Sequence, residues 1–394
     1  MIEIITLITA SGIAMLTLPG TIELLLVTVG SLIPSSKPAP VSKDNYRPLA
    51  IIIPAHNEEK GIANCIANIQ KSKQGPCTIY VIADNCNDNT ANVAKQTGAT
   101  IITRKNPDQC GKGYALDYAF QYLSDKPYEI YVIIDADSRV EPNFIDEVQA
   151  QFAQGIDALQ VAYGVNNPEA GFRTRLMRVA LMAFNVLRPR GRQGFGLSAG
   201  ILGNGFALTA EILKQVPYDA GSIVEDVEYH LRLVASNKRV HFTSNTSVLA
   251  DMPVQGTGVK TQRARWEGGR LRLLLDRGPS LIQSIFKGNL TQIEPFLDLM
   301  LLPLAFHVFL LLPLLFAPNT LIAIYASSAL TLVFIHTLLA IVKGGGNFND
   351  LKALAIAPFY LVWKAAIIPF LIKTAHKNAT WVRTERTQPG ELKP

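Results

Sequence analysis

The sequence is short of charge. Only 17% of its 394 residues are Asp, Glu, Lys or Arg, where an average globular protein carries about 25%. The apolar share, 48%, is ordinary, so the deficit needs a location rather than a new composition class. Cysteine is scarce as well: four residues rule out a disulfide scaffold. Cys65, Cys77, Cys86 and Cys110 show no Cys-x-x-Cys spacing, which excludes a zinc site. Cys86 either lines a ligand site or is buried as a small apolar residue. The net charge of +6 is too mild for nucleic-acid binding. A glycine-rich phosphate loop is also missing. Where a dinucleotide fold would place Gly-x-Gly-x-x-Gly, after the first strand, the chain reads Pro54-Ala55-His56-Asn57-Glu58-Glu59. Gly194-x-Gly196 follows an arginine-rich stretch, and no Gly-x4-Gly-Lys-Ser/Thr occurs. Hydride transfer and P-loop chemistry are thereby excluded.

The missing charge lies at the two ends. Between Glu3 and Lys37 the only charge is Glu23, and between Asp298 and Lys343 there is none. A membrane-spanning helix needs about 20 apolar residues. Residues 4–33 fit one long span kinked at Pro19-Gly20, or a pair of half-spans. They lack the positive flank and small-residue cleavage site of a signal peptide. Residues 296–316 and 321–342 are two further candidates, split at Ala317-Pro318-Asn319. Residues 353–372 carry Lys364, Pro358 and Pro369 and are expected to be re-entrant or interfacial. Lys37, Lys43 and Arg47, with Lys373, Lys377, Arg383 and Arg386, orient the middle and the tail to the cytosol. The expected organisation is a membrane anchor (1–36), a cytosolic domain (45–290), membrane segments (293–373) and a cytosolic tail (374–394).

The middle alternates short apolar runs with amphipathic ones. Strands are predicted at 49–53, 78–83, 100–103 and 129–134, and helices at 59–71, 91–97 and 114–123. This order predicts an α/β fold with a mixed, mostly parallel sheet, flanked by the transmembrane helices. Such sheets bind ligands at the carboxyl ends of their strands, where His56-Asn57-Glu58, Asp84-Asn85 and Asp135-Ala136-Asp137 fall.

Two carboxylates one residue apart after an apolar strand, Asp135 and Asp137, are suited to a hard divalent cation with phosphate oxygens on its open positions. Alone, a solvated turn explains them as well. Glu225-Asp226 offers a general base, or simply acids favoured in the first turn of a helix. Gln262-Arg263-Ala264-Arg265-Trp266 lies in a basic stretch. Arginine can grip a diphosphate, and Trp can face a sugar ring; a basic helix on an anionic membrane is the other reading. Six arginines between 171 and 192, with no acid among them, are expected to contact the membrane surface.

Taken in order, Ile53-Pro54-Ala55-His56-Asn57-Glu58, Ala83-Asp84-Asn85-Cys86, Gly111-Lys112-Gly113, Asp135-Ala136-Asp137, Gly203-Asn204-Gly205, Glu225-Asp226 and Gln262-x-x-Arg265-Trp266 resemble the membrane-bound family 2 glycosyltransferases. These include cellulose, hyaluronan and poly-N-acetylglucosamine synthases and ceramide glucosyltransferase. The resemblance covers about 45–290 and implies a GT-A fold, a nucleotide-diphosphate sugar donor (a UDP-sugar), Mg²⁺ or Mn²⁺, and inversion at the anomeric carbon. It implies that Pro54, Ala55, His56, Glu58 and Asp84 hold the nucleoside, and that Lys112 sits near the base or phosphates. Asp135 and Asp137 match the metal and diphosphate motif, with Asp137 the direct ligand, and Asp226 matches the base beside Glu225. Gln262 and Arg265 would bind the diphosphate, while Trp266 and Gly205 would frame the acceptor. Trp381-Val382-Arg383-Thr384 resembles a tail motif of some synthases. The chain departs from the family pattern at Val224, where Thr or Ser is usual, and at Ala115, where Asn is usual. The implied activity is sugar transfer to a growing polysaccharide at a bacterial inner membrane, with a secretion partner or homo-oligomer. Single transfer to a lipid, and a nucleotide-sugar-binding regulator without turnover, are the competing readings.

Overall fold

The computed structural model describes residues 1–35, 37–72, 75–219, 224–254 and 257–359, and for 257–266 the backbone alone. The chain opens with helix α1 (Ile2–Gly30). Alternating elements follow: β1 (Leu49–Ala55), α2 (Ile62–Ser72), β2 (Cys77–Asp84), α3 (Thr90–Gln96), β3 (Thr100–Arg104), α4 (Lys112–Leu123) and β4 (Ile130–Ile133). Next come β5 (Ser138–Val140), α5 (Phe144–Phe152) and β6 (Ala158–Val165). Helices α6 (Phe172–Leu181) and α7 (Arg188–Gly194), joined by a π-helical turn, precede β7 (Phe206–Thr209), α8 (Ala210–Gln215), α9 (Glu225–Ala235) and β8 (Val240–Ala250). The helices α10 (Thr257–Phe286), α11 (Ile293–Met300), α12 (Leu304–Leu311), α13 (Thr320–Lys343) and α14 (Phe348–Leu354) complete the described chain.

These elements pack as two compact units. One, Pro34–Asn167 with Gly196–Met252, holds the eight strands of the described residues in a single sheet ordered β3-β2-β1-β4-β7-β6-β8-β5. The first four strands are parallel, β7 runs antiparallel to both its neighbours, and β6 and β8 are parallel again. β1 reads as an unbroken apolar run because both of its faces are covered. Leu49, Ile51 and Ile53 pack against α2 and α5 through Ile66, Ile69 and Phe144. Ala50 and Ile52 pack against α4 and α9 through Leu116, Phe120 and Leu233. Burying each large side chain stabilises by about 1.5–3 kcal/mol.

Two sequence expectations are corrected here. The strand continues through Pro54 and Ala55, where a turn from Pro54 was expected. Ile134 N–H donates to the Ile52 carbonyl, so residues 52 and 54 face β4, and β4 has already ended at Ile133. Pro54 therefore removes no ladder bond. Likewise α2 begins at Ile62 rather than at 59, because residues 56–59 are used to bind the next loop.

The other unit, Met1–Ile33, Pro168–Phe195 and Pro253–Pro394, is helical among its described residues. Residues 168–195 and 253–290, which the sequence places in the cytosolic domain, group here with the apolar helices. Among the described residues, two helices are long and apolar enough to cross a membrane, Glu3–Gly30 and Thr320–Lys343. The first runs unbroken through Pro19, so it is one segment and not two half-spans. The expected span at 296–316 falls on a bent pair, Leu290–Met300 and Leu304–Phe316, with a 76° change of direction, the form of a broken span or a re-entrant loop. Gly20 fits against that break: an added Cβ would lie 3.0 Å from Leu301 Cα. Residues 360–394, with most of the 353–372 candidate and Trp381–Thr384, lie outside the described residues.

The six arginines are not one membrane face. Arg175, Arg188 and Arg192 are buried. Asp298 accepts from Arg188, Arg192 and, at 2.8 Å, Arg270, while Arg192 also meets Glu294 and, at 2.9 Å, Glu23. The cause is that α1 and α11 bring carboxylates into an apolar interior, and a buried charge must be paired there. Among the described residues, Glu23, Glu294 and Asp298 are the one acidic trio close enough to share a cation. Three guanidinium groups already occupy that space, so the cluster is an ion-pair network.

Candidate active site

The carboxyl ends of β1, β2 and β4 build two adjoining sets of side chains within the sheet unit. The first is made by two loops. His56 Nδ1 lies 2.8 Å from the Asp84 carbonyl, Glu58 N–H donates to Thr90 Oγ1 at 2.7 Å, and Asn87 N–H donates to Asn57 Oδ1 at 2.8 Å. Asn57 and Asn85 take positive φ, 55° and 50°, which their short polar side chains tolerate in turns. Asp84 is buried at the end of β2, and the parallel register places Arg104 directly across from it on β3. Arg104 donates to Asp84 Oδ1 at 2.7 Å and to the Gln109 carbonyl at 2.8 Å. Burial raises the Asp84 pKa, and Arg104 opposes that rise.

The second set surrounds Lys112. This residue opens α4 after Gly111, whose φ of 133° only glycine adopts readily. Its ammonium donates to Asp135 Oδ1 and to the Gly203 carbonyl. Burial disfavours the Lys112 cation, but Asp135, Glu225 and Asp226 outweigh it and hold its pKa above the ordinary lysine value. Asp135 and Asp137 are half-exposed with buried Ala136 between them, so the two carboxylates emerge on the open side of the turn. Asn204, almost fully buried, clamps that turn: its Oδ1 accepts from Asp135 N–H at 3.1 Å and its Nδ2 donates to Ser138 Oγ at 2.8 Å. Gln160 on β6 in turn fixes the 202–205 loop, accepting from Leu202 N–H at 2.9 Å and donating to the Asn204 carbonyl at 2.8 Å.

Glu225 and Asp226 stand in the first turn of α9. Asp226 Oδ1 accepts from Val227 N–H at 2.9 Å. Its Oδ2 lies toward Gly203, 3.0 Å from where a Cβ would be, and Gly203 has φ of 80°. Burial, then the neighbouring Asp226, pushes Glu225 up to about 8, with Lys112 opposing. Burial likewise raises Asp226. Asp135, Glu225 and Asp226 thus gather around Lys112, with Asp137 on the same turn as Asp135. Hard oxygen donors in net negative surplus fit Mg²⁺ or Mn²⁺.

The structure brings together Lys112, Asp135, Glu225 and Asp226, and separately His56, Glu58 and Asp84. Gly205, expected beside the acceptor, is buried, and an added Cβ would meet Val248 Cγ2 at 2.8 Å. Its freedom is needed for packing, because the sheet closes over it. Ala115 is buried in the core against the sheet, leaving no place for the usual Asn. The side chains of Gln262, Arg265 and Trp266 lie outside the described residues, although their backbone belongs to α10. Sequence reasoning missed Arg104 and Gln160. The strand register opposite Asp84 points to Arg104; a lone Gln in an apolar strand is the faint signal for Gln160.

A family model described as "Glycosyltransferase like family 2" matches residues 47–269. A 4,4'-diaponeurosporenoate glycosyltransferase of Staphylococcus aureus is 30% identical over 149 residues, 36% of this chain. That match spans 39% of the relative's own length. Among solved structures, a mannosyltransferase of Pyrobaculum calidifontis in complex with GDP-Man and Mn²⁺ superposes with a TM-score of 0.52. It is 17% identical, and the superposition covers 93% of this chain and 96% of that one.

Proposed function

Because the chain belongs to glycosyltransferase like family 2, we propose that it is a membrane-embedded inverting transferase, moving a sugar from a nucleotide-diphosphate donor to the hydroxyl of a membrane-resident lipid. The observation that carries the transfer reading is the convergence of Lys112, Asp135, Gly203, Glu225 and Asp226 at the strand ends.

In this reading the donor's nucleoside lies along Pro54–Glu58 and Asp84, with Asp84 held in place by Arg104. Asp135 and Asp137 would hold the divalent ion, which when bound neutralises charge growing on the departing diphosphate. Lys112 fixes the Asp135 carboxylate for that task and adds its own positive charge. Gln262, Arg265 and Trp266 are assigned to the diphosphate and the acceptor. Asp226 is the base: Oδ1 is engaged by Val227 N–H, so Oδ2 takes the acceptor's proton. The acceptor oxygen then bonds to the anomeric carbon as the carbon–phosphate-oxygen bond on the opposite face breaks.

Two observations favour a lipid over a polymer. The described residues offer two membrane-length helices, or three segments counting the bent pair, which is few for a self-contained polymer channel. The Staphylococcus aureus relative is by its name a glycosyltransferase of 4,4'-diaponeurosporenoate. Incubating membranes holding the full chain with radiolabelled UDP- and GDP-sugars tests this. Label extracted into organic solvent as one glycolipid is the expected result. Water-soluble polymer would replace the lipid reading with polysaccharide synthesis, and no incorporation from any donor would sink transfer itself.

A further inference from the structure

Helices α6 and α14 lie side by side in the helical unit. Asp350 on α14 pairs with Arg175 and Arg178 of α6 at 3.2 and 3.3 Å, and the carboxylate itself is fully buried. Arg178 also donates to the Gly345 carbonyl at 3.1 Å, in the turn that follows the apolar helix α13. The pair is therefore fixed at the Lys343 end of a helix long enough to cross a membrane.

Each helix of the pair carries an exposed phenylalanine with a cation packed on its ring. Arg173 stands 5.9 Å from the ring centre of Phe172, which is 52% exposed, and Lys352 stands 4.9 Å from that of Phe348, which is 69% exposed. Leu351 adds further exposed apolar surface on α14. Large apolar side chains set beside cations match the boundary between acyl chains and headgroups, where the ring sits in the apolar layer and the charge remains with the headgroups. Asp350 is turned inward and spent on Arg175 and Arg178, so it does not cancel the outward charge.

We propose that the α6–α14 pair is an interfacial platform that takes the phosphates of anionic glycerophospholipids, with Arg173, Lys343 and Lys352 as the recognising cations. This rests on the membrane placement argued above, which alkaline extraction of membranes checks on its own. The test uses the full chain purified in a nonionic detergent, offered phosphatidylglycerol or phosphatidylcholine of equal chain length, with retained lipid counted by native mass spectrometry. Phosphatidylglycerol should be retained in preference. The double variant Arg173→Gln with Lys352→Gln should bind it about tenfold more weakly, with phosphatidylcholine unchanged. Millimolar glycerol phosphate should not displace it, since the apolar contact would be missing. Equal retention of the two lipids, an undiminished preference in the variant, or displacement by glycerol phosphate would each overturn the platform. Lipid retention is read independently of sugar transfer, so failure of either leaves the other standing.

Discussion

As the proposed base, Asp226 must be ionised where burial disfavours its charge. Its position at the start of α9 helps, because the backbone N–H groups there favour a carboxylate. Replacing it by Asn keeps the shape and removes the proton acceptor. Transfer should fall by about 10²–10⁴-fold while nucleotide binding, measured by calorimetry, stays near wild type; a variant that still turns over at the original rate would reassign the base. Glu225 behaves differently. With its pKa pushed up to about 8 from 4.5, the folded protein keeps a proton that the unfolded chain has released over that interval. Stability then falls as pH rises through the window. Glu225→Gln removes the effect, so in metal-free buffer its melting temperature should exceed that of the wild type more at pH 8.5 than at pH 5. An equal difference at both pH values would show that Glu225 is not held neutral.

At the scale of elements, the strands and helices around the site were readable because their signals are local. Apolar runs of five or six residues ending in polar ones place β1, β2 and β4 within a residue or two, and with them the Asp84 and Asp135 corners. What was not readable depends on partners far along the chain. The ends of β1 and α2 were decided by β4 stopping short and by the 84–90 loop. The arginines of α6 and α7 looked like a surface stripe until the acids of α1, α11 and α14 were placed beside them. The same α7 makes a crossing with α1 so close that a Cβ on Gly191 would overlap the Val27 carbonyl, with Val27 Cα at 2.6 Å. Neither atom can move aside as a side chain would. Gly191→Ala should force the helices apart and cost about 1–3 kcal/mol, visible as a lower melting temperature in detergent, whereas Gly171→Ala, with open space around it, should serve as the unaffected control.

For the whole molecule, the composition separates into a sheet unit that holds the proposed site and a helical unit that carries most of the exposed large apolar side chains. Metal dependence belongs at this scale, because it joins the proposed reaction to the gathering of Asp135, Glu225 and Asp226 around Lys112. Chelation with EDTA should stop transfer, and Mn²⁺ or Mg²⁺ should restore it; activity that persists without divalent ions would detach Asp135 and Asp137 from metal binding. Net charge told little about placement, since arginines that read as local basic clusters, Arg175, Arg188, Arg192 and Arg270, pair internally with Glu23, Glu294, Asp298 and Asp350.

Glu23 gives that neutralisation an order in time. It sits within the first apolar helix, and its partner Arg192 is 169 residues further along. Asp298 lies another 106 residues beyond Arg192. Until α7 and α11 have been made, this apolar helix carries a carboxyl group without the partners it has in the folded chain. Its final seat exists only once α7 and α11 have been made. Glu23 is therefore secured only by residues made long after it, so its burial depends on the chain having folded through α11.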